Sequence, residues 1–206
     1  MHISKIVQKA DPDVERRVAD RLRALRIDDR HELMVVHVSA GNPFRRWPEP
    51  AFVRLVRALA EGSASRRLVL SSGPSDHAAA VRIAEAARAE LGPGRADRVI
   101  DFGEFDLAEL RALVARSRLF VGGDTGPLHI AATTRTPIVG IYGPTLPERS
   151  APWRDPAVPT EAVERRDLAC RPCEQRVCEP GDFRCLTTIR PEVVAAAAEE
   201  MLGWRA

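Results

Sequence analysis

Asp124, Thr125 and Gly126 lie inside VGGDTGPLHIAATTRTPIVGIYGP, Val121 to Pro144, between an apolar run and a segment of small residues opened by Pro127. Aspartate and threonine are helix-capping types, and proline suits a first helical turn. The free amides of a helix start, together with its macrodipole, favour an anion such as a phosphate. A carboxylate at the same place would repel that phosphate and is better used to accept hydrogen bonds from the hydroxyls of an attached sugar. The combination points to a sugar phosphate. The plain alternative is that Asp124 or Thr125 only caps the helix. His129, one turn further on, either faces the ligand or fills the sheet face, and Gly143, Pro144 and Thr145 form a second glycine turn after the next apolar run.

These residues need a scaffold, and the surrounding sequence predicts one. Apolar, β-rich runs at Leu33 to Ser39, Arg67 to Ser71, Arg98 to Asp101, Leu119 to Gly122 and Pro137 to Tyr142 read as strands. Between them, Pro48 to Gly62, Ser75 to Leu91, Leu107 to Ser117 and Pro127 to Thr134 carry apolar residues at helical spacing. Strands alternating with helices predict an α/β fold, a Rossmann-like doubly wound parallel sheet covered on both faces. In such sheets ligands bind in the crevice at the carboxyl ends of the strands. Loops 40–47, 72–76, 102–104, 122–126 and 143–149 are therefore the places to look, and glycine beside polar groups recurs in them.

Asp11 to Leu25 reads as a further helix with Val14, Val18, Leu22 and Leu25 on one face, so residues 1–30 form a lead-in helix or a linker remnant before a domain spanning 31–206. Ala151 to Pro180 is rich in proline, charge and cysteine, and Arg190 to Trp204 reads as a terminal helix opened by Pro191.

With 206 residues the chain is long enough for one sizeable core. Hydrophobic residues at 45% and charged residues at 29% exclude a disordered polyelectrolyte. The net charge of +2, evenly spread, gives no nucleic-acid surface. No stretch is apolar for the length a transmembrane helix needs, and the first residues lack the apolar core of a signal peptide, so the expected location is cytoplasmic, with peripheral contact to the inner membrane as a variant. A dinucleotide-dependent oxidoreductase is disfavoured, because SAGNPF after the first strand lacks the later glycines of G-x-G-x-x-G.

Cys170, Cys173, Cys178 and Cys185 fall within residues 166–187. Clustered cysteines in a reducing compartment favour a structural zinc over disulfides, and C-x2-C is a good ligand spacing, while the later intervals are less typical of a zinc ribbon. Reduced free thiols and disulfides formed on handling stay open. No histidine follows in sequence, which argues against a catalytic thiol.

DTGPLHIAA followed by TPIVGIYGPT resembles the signature of glycosyltransferase family 9, the heptosyltransferases of lipopolysaccharide core synthesis. VSAGNPFRRWPEPAFVRLVRAL and CRPCEQRVC with CLTTIRPEVV resemble other parts of that family, so the likeness runs from Leu33 to Leu202. It implies one half of a GT-B glycosyltransferase, the nucleotide-sugar half. The acceptor half, which carries the catalytic base, has no counterpart here, so the likeness places no catalytic residue in this chain. A separately expressed or truncated domain is expected, with a standalone noncatalytic nucleotide-sugar or partner-binding module as the alternative.

The same resemblance assigns roles. Asp124 matches the residue that binds the donor sugar, with Thr125 and Gly126 near the phosphates. Arg45 stands where the family has a phosphate-binding lysine, two residues before Trp47, and differs from it in shape. Arg46 is its substitute, or the two are a solvated pair. Ser39 remains as a hydroxyl near the phosphates, because Ala40 and Gly41 replace the family's hydroxyl residues. Asp76, in SSGPSDH, takes the place of the glutamate that receives the ribose, unless it caps the following helix. His129, Gly143 and Thr145 are further candidates. The implied reaction is an inverting, metal-independent transfer of heptose from ADP-heptose to a glycan or lipopolysaccharide acceptor, with no cofactor required apart from the structural zinc considered above.

Overall fold

The computed structural model describes residues 11–204. Six strands, β1 Glu32–His37, β2 Arg66–Ser71, β3 Val99–Asp101, β4 Leu119–Gly123, β5 Ile138–Tyr142 and β6 Thr160–Glu164, form one sheet. Eight helices accompany them: α1 Pro12–Ala24, α2 Glu49–Gly62, α3 His77–Leu91, α4 Leu107–Ala115, α5 Gly126–Ala132, α6 Pro147–Ser150, α7 Arg184–Thr187 and α8 Pro191–Leu202. The strand order is β3-β2-β1-β4-β5-β6 and every pair is parallel. The expected doubly wound α/β sheet is thus present, with one strand more than the sequence reading gave.

Because successive strand residues point to opposite faces, each central strand feeds two cores. Met34 and Val36 of β1, Leu119 and Val121 of β4, and Val139 and Ile141 of β5 pack with α2, α3 and α8. Leu33 and Val35, Phe120, Ile138 and Tyr142 point the other way, onto α1, α4 and α5. Burial on both faces explains why these strands read as continuous apolar runs. Gly140 lies on the second face because a Cβ there would come within 2.7 Å of the Tyr142 ring.

Local signals set the helix ends. The Asp11 carboxylate accepts from the amides of Asp13 and Val14 at the start of α1, and Asp106 with Glu109 forms a capping box on α4. At the end of α1, Arg26 takes a φ of 60° and the Ile27 amide donates back to the Leu22 carbonyl at 3.0 Å, closing the helix in the manner of a Schellman turn. Val14, Val18 and Leu22 are buried as expected, but Leu25 is 47% exposed. The reversal at Arg26 turns Ile27 into the core in its place.

The last third differs most from expectation. The stretch Ala151 to Pro180, read only as rich in proline, charge and cysteine, contains β6, and the short helices α6 and α7 flank it. Only Val163 of β6 is buried, so the strand has the weak pattern of a sheet edge. α8 then packs against α2 and the β5–β6 side of the sheet. Arg66, at the start of β2, grips Glu199 of α8 through two hydrogen bonds of 2.5 and 2.6 Å, a bidentate geometry that fixes both partners.

Candidate functional site

The sheet order reverses between β1 and β4. Their carboxyl ends diverge there, and the helices that follow leave on opposite faces, which opens the crevice where such folds receive ligands. The loops after β1, β2, β4 and β5 bring Ser39, Arg45, Asp76, Asp124, Thr125 and Thr145 to this edge.

Trp47 builds the loop after β1 from below. Its ring is buried, meets Phe52 edge-on at 4.9 Å, and donates through Nε1 to the Ile189 carbonyl at 3.2 Å. Asn42 caps a single 3-10 turn, Pro43–Arg45, by accepting from the Phe44 amide. The turn carries Arg45 over the start of the β4 loop, where its Nη1 donates to the Asp124 carbonyl at 2.9 Å and lies 3.4 Å from Oδ2 of the Asp124 carboxylate. Arg46 points the other way. Its Nε donates to the Ala40 carbonyl at 2.9 Å and its Nη2 pairs with Oδ1 of Asp76 at 3.0 Å. The two arginines are therefore pinned to different carboxylates, which sets aside the reading of a solvated pair.

Asp124 is 2% exposed. The first residue outside α5 is Thr125, and neither it nor Asp124 caps the helix through its side chain. Instead Oδ2 of Asp124 accepts from Thr145 Oγ1 at 2.6 Å, and Oδ1 lies 3.9 Å from Nε2 of His129. The capping alternative for Asp124 is thereby answered. The His129 side chain is half exposed, so it faces the crevice and does not fill the sheet face. Gly143 lies beneath α7: a Cβ there would come within 2.5 Å of Leu186, so its glycine serves the close approach of that helix.

Asp76 is also buried and does not cap α3 with its side chain. Oδ2 accepts from Ser39 Oγ at 2.5 Å while Arg46 holds the other oxygen. The hydroxyl proton of Ser39 is thus given to Asp76. Beside this pair a cavity of about 280 Å³ runs between β1, β2 and the start of α5, lined by His37, Ser39, Ser71, Phe105, Thr125 and Gly126 among others. His37 was passed over in the sequence as part of an apolar run. It is buried, its Nδ1 lies 3.0 Å from Ser71 Oγ, and burial pushes its pKa down to about 4, opposed by the charge of Asp76. A titratable ring in an otherwise apolar strand was the signal available for it.

The apolar rim of this cavity comes from Phe105 of the loop after β3 with Leu107 and Leu110 of α4, and Phe102 backs Phe105 from outside the lining. Phe102 and Phe105 stack at 5.1 Å, and the Arg21 guanidinium of α1 sits 4.5 and 4.7 Å from their ring centres while donating to the Phe102 carbonyl at 2.7 Å.

The cysteine-bearing segment closes the other end of the crevice. Cys170, Cys173, Cys178 and Cys185 are free thiols, and all four line one cavity of about 450 Å³. Among the described residues no three histidine, cysteine or acidic side chains converge on a point as metal ligands would, and the four sulfurs border the cavity. Cys185 is the most buried, and desolvation with the neighbouring Cys173 pushes its thiol up to about 11. Arg171 and Glu164, 2.9 Å apart with both side chains buried, anchor the segment to β6, and Arg171 also donates to the Thr145 carbonyl at 2.6 Å. Gln175 reaches further still, to Arg45 and Asn42. Neither Arg171 nor Gln175 was found from sequence, where nothing in their neighbours marks them.

Comparison with known proteins shows the family and the fold. The model of glycosyltransferase family 9 (heptosyltransferase) matches residues 6–182. Lipopolysaccharide heptosyltransferase 3 of Escherichia coli K12 is 28% identical over 192 residues, which covers 92% of this chain and 52% of that protein. Lipooligosaccharide heptosyltransferase 2 of Campylobacter jejuni is 33% identical over 89 residues, 43% of this chain and 27% of that protein. The chain spans about half the length, or less, of the curated relatives it matches. Among solved structures, a family 9 glycosyl transferase from Veillonella parvula superposes with a TM-score of 0.73 at 22% identity, covering 94% of this chain and 53% of that one. Escherichia coli heptosyltransferase WaaC with ADP gives 0.60 at 23% identity, covering 84% and 45%. The iron-containing dodecameric heptosyltransferase TibC in complex with ADP-D-β-D-heptose gives 0.57 at 18% identity, covering 82% and 45%. At these identities the superpositions establish a shared fold. Among the described residues no helix is long and apolar enough to cross a membrane.

Proposed function

The chain belongs to glycosyltransferase family 9, and from that premise we propose that its switch-point crevice binds a nucleotide-sugar donor, ADP-heptose, whose heptose is transferred to a lipopolysaccharide core or related glycan acceptor. The observation that carries this reading is the setting of Asp124. It is a buried carboxylate with one oxygen held by Thr145 and the other turned toward half-exposed His129, beside Arg45 and next to a cavity with an apolar rim.

The parts suit the pieces of such a donor. The cavity has the room and the aromatic rim for a base, and Asp76, fixed by Ser39 and Arg46, stands at its side for the ribose. Arg45 supplies positive charge at the Asp124 end, where a diphosphate would lie, with Arg46 at the Asp76 end. Thr125 and Gly126 give backbone at the same place, and no heavy atom lies within 4 Å of where a Gly126 Cβ would stand. Asp124 then accepts from the sugar hydroxyls. In an inverting transfer a deprotonated acceptor hydroxyl attacks the anomeric carbon and the bond to the ADP oxygen breaks. Charge accumulates on that oxygen, and a fixed guanidinium beside it lowers the barrier most where the charge grows. Because Arg45 and backbone can provide this stabilisation, the transfer is proposed to run without a metal, while the base comes from the acceptor-binding half.

Calorimetric titration of ADP and then ADP-heptose into the chain and into Asp124→Ala tests the reading. Both ligands are expected to bind the wild type, and the variant should lose the extra affinity conferred by the sugar while keeping that for ADP. Equal loss for both ligands, or no binding of either, overturns it. Repeating the titration after chelation should leave the affinities unchanged.

A further inference from the structure

Gln175 lies in the cysteine-bearing segment, far in sequence from the loop after β1, yet its Oε1 accepts from Arg45 Nε at 2.7 Å and from Asn42 Nδ2 at 3.0 Å. It does so from a φ of 60°, a conformation that a residue with a side chain adopts only at a cost. Neighbouring contacts dock the same segment independently: the Cys173 amide donates to the Pro144 carbonyl at 3.2 Å, and Phe183 meets Phe44 edge-on at 5.3 Å. The segment thus stays in place without the glutamine, and the amide of Gln175 is left with a narrower task.

That task follows from the shape of a guanidinium. Arginine is a planar fork of five N–H donors, so the orientation of its plane decides which donors face a ligand, whereas a lysine ammonium presents its donors in any rotation. Arg45 is held at two points of the fork, Nε by Gln175 and Nη1 by the Asp124 carbonyl, which fixes the plane and leaves Nη2 outside both bonds. An uncharged acceptor does this without adding a second negative charge to that of the Asp124 carboxylate, already 3.4 Å from Nη1. A carboxylate at the same place would hold the plane and cancel the charge.

We propose that Gln175 is a positioning residue that sets the plane of Arg45 for the diphosphate of the donor. The inference rests on the donor-site reading above, and it makes the arginine at position 45 and the glutamine at position 175 a matched pair.

Titration of the full chain with ADP and with adenosine, for the wild type, Gln175→Gly, Gln175→Glu, Arg45→Ala, Arg45→Lys and the double variant Arg45→Lys/Gln175→Gly, tests the pairing. Glycine relieves the backbone at a φ of 60° while removing the amide, so the melting temperature of Gln175→Gly should be equal or higher. Its affinity for ADP should fall on the order of tenfold, with adenosine unaffected. On the Arg45→Lys background, Gln175→Gly should change nothing, because lysine has no Nε to hold. Gln175→Glu should bind ADP weakly at neutral pH and recover relative to the wild type as the pH falls through the carboxyl range. Wild-type affinity for ADP in Gln175→Gly, or an equal loss for adenosine, overturns the proposal alone. Failure of the wild type to bind ADP, or no effect of Arg45→Ala, overturns the donor-site reading and this proposal with it.

Discussion

Thr145 Oγ1 and Asp124 Oδ2 lie 2.6 Å apart, joining the loop after β5 to the loop after β4. The hydroxyl donates to a side-chain carboxyl group that is almost fully buried, and hydrogen bonds to carboxylates are the stronger kind. Thr145→Val keeps the shape and removes the donor, and should lower the unfolding free energy by about 2 kcal/mol. A double-mutant cycle in urea with Asp124→Ala, which removes the acceptor, should return a coupling close to that loss. Additive effects would mean that the two loops are held together by other contacts.

His37 links stability to pH. Its folded-state pKa of about 4 lies below the ordinary histidine value, so between those values the unfolded chain takes up a proton that the folded chain refuses. Stability is full above about pH 6.5 and falls as the pH drops toward 4, by about 1.4 kcal/mol per unit within that window. Urea melts across the window should show this slope in the wild type and a reduced one in His37→Gln. Equal slopes in the two proteins would place the acid sensitivity elsewhere.

Cys185 should stand apart from the other thiols. It is buried with its thiol pushed up to about 11, whereas Cys170, Cys173 and Cys178 are half-buried. Because the thiolate is the reactive form, brief iodoacetamide treatment of the native protein at pH 8 should label those three well before Cys185, read by peptide mass spectrometry. Denaturation should abolish the difference.

The Arg171 and Glu164 pair predicts an asymmetric response. Both side chains are buried, so Arg171→Met leaves the Glu164 carboxylate with Arg166 alone, 2.8 Å away on an exposed side chain, and should cost about 2 kcal/mol. Arg171→Met combined with Glu164→Leu should recover part of the loss. The single variant should also weaken ADP binding, because Arg171 holds the Thr145 carbonyl.

The sequence was legible where chemistry repeats along the chain. Apolar runs gave five of the six strands because their residues are buried on both faces, and Pro191 marked the start of α8 through its fixed φ. Asp124 could be chosen from its neighbours, since strand, carboxylate and helix start are consecutive. β6 escaped because a five-residue edge strand with one buried side chain leaves little periodicity. Leu25 was misplaced because the turn at Arg26 uses arginine where glycine is the usual sign. Gln175, Arg171 and the pairing of Ser39 with Asp76 were out of reach for another reason: each contact joins residues distant in sequence, and nothing in either local stretch records its partner.

Arg21 adds a mechanical dimension to α1. The helix reads as a connector, yet this arginine clasps the two phenylalanines of the loop after β3 and two of its carbonyls, while Val14, Val18 and Leu22 seat the same helix on α4. α1 therefore acts as a handle on the rim of the cavity. Whatever shifts residues 12–24 must therefore either break these contacts or carry Phe105, on the cavity's edge, along with it.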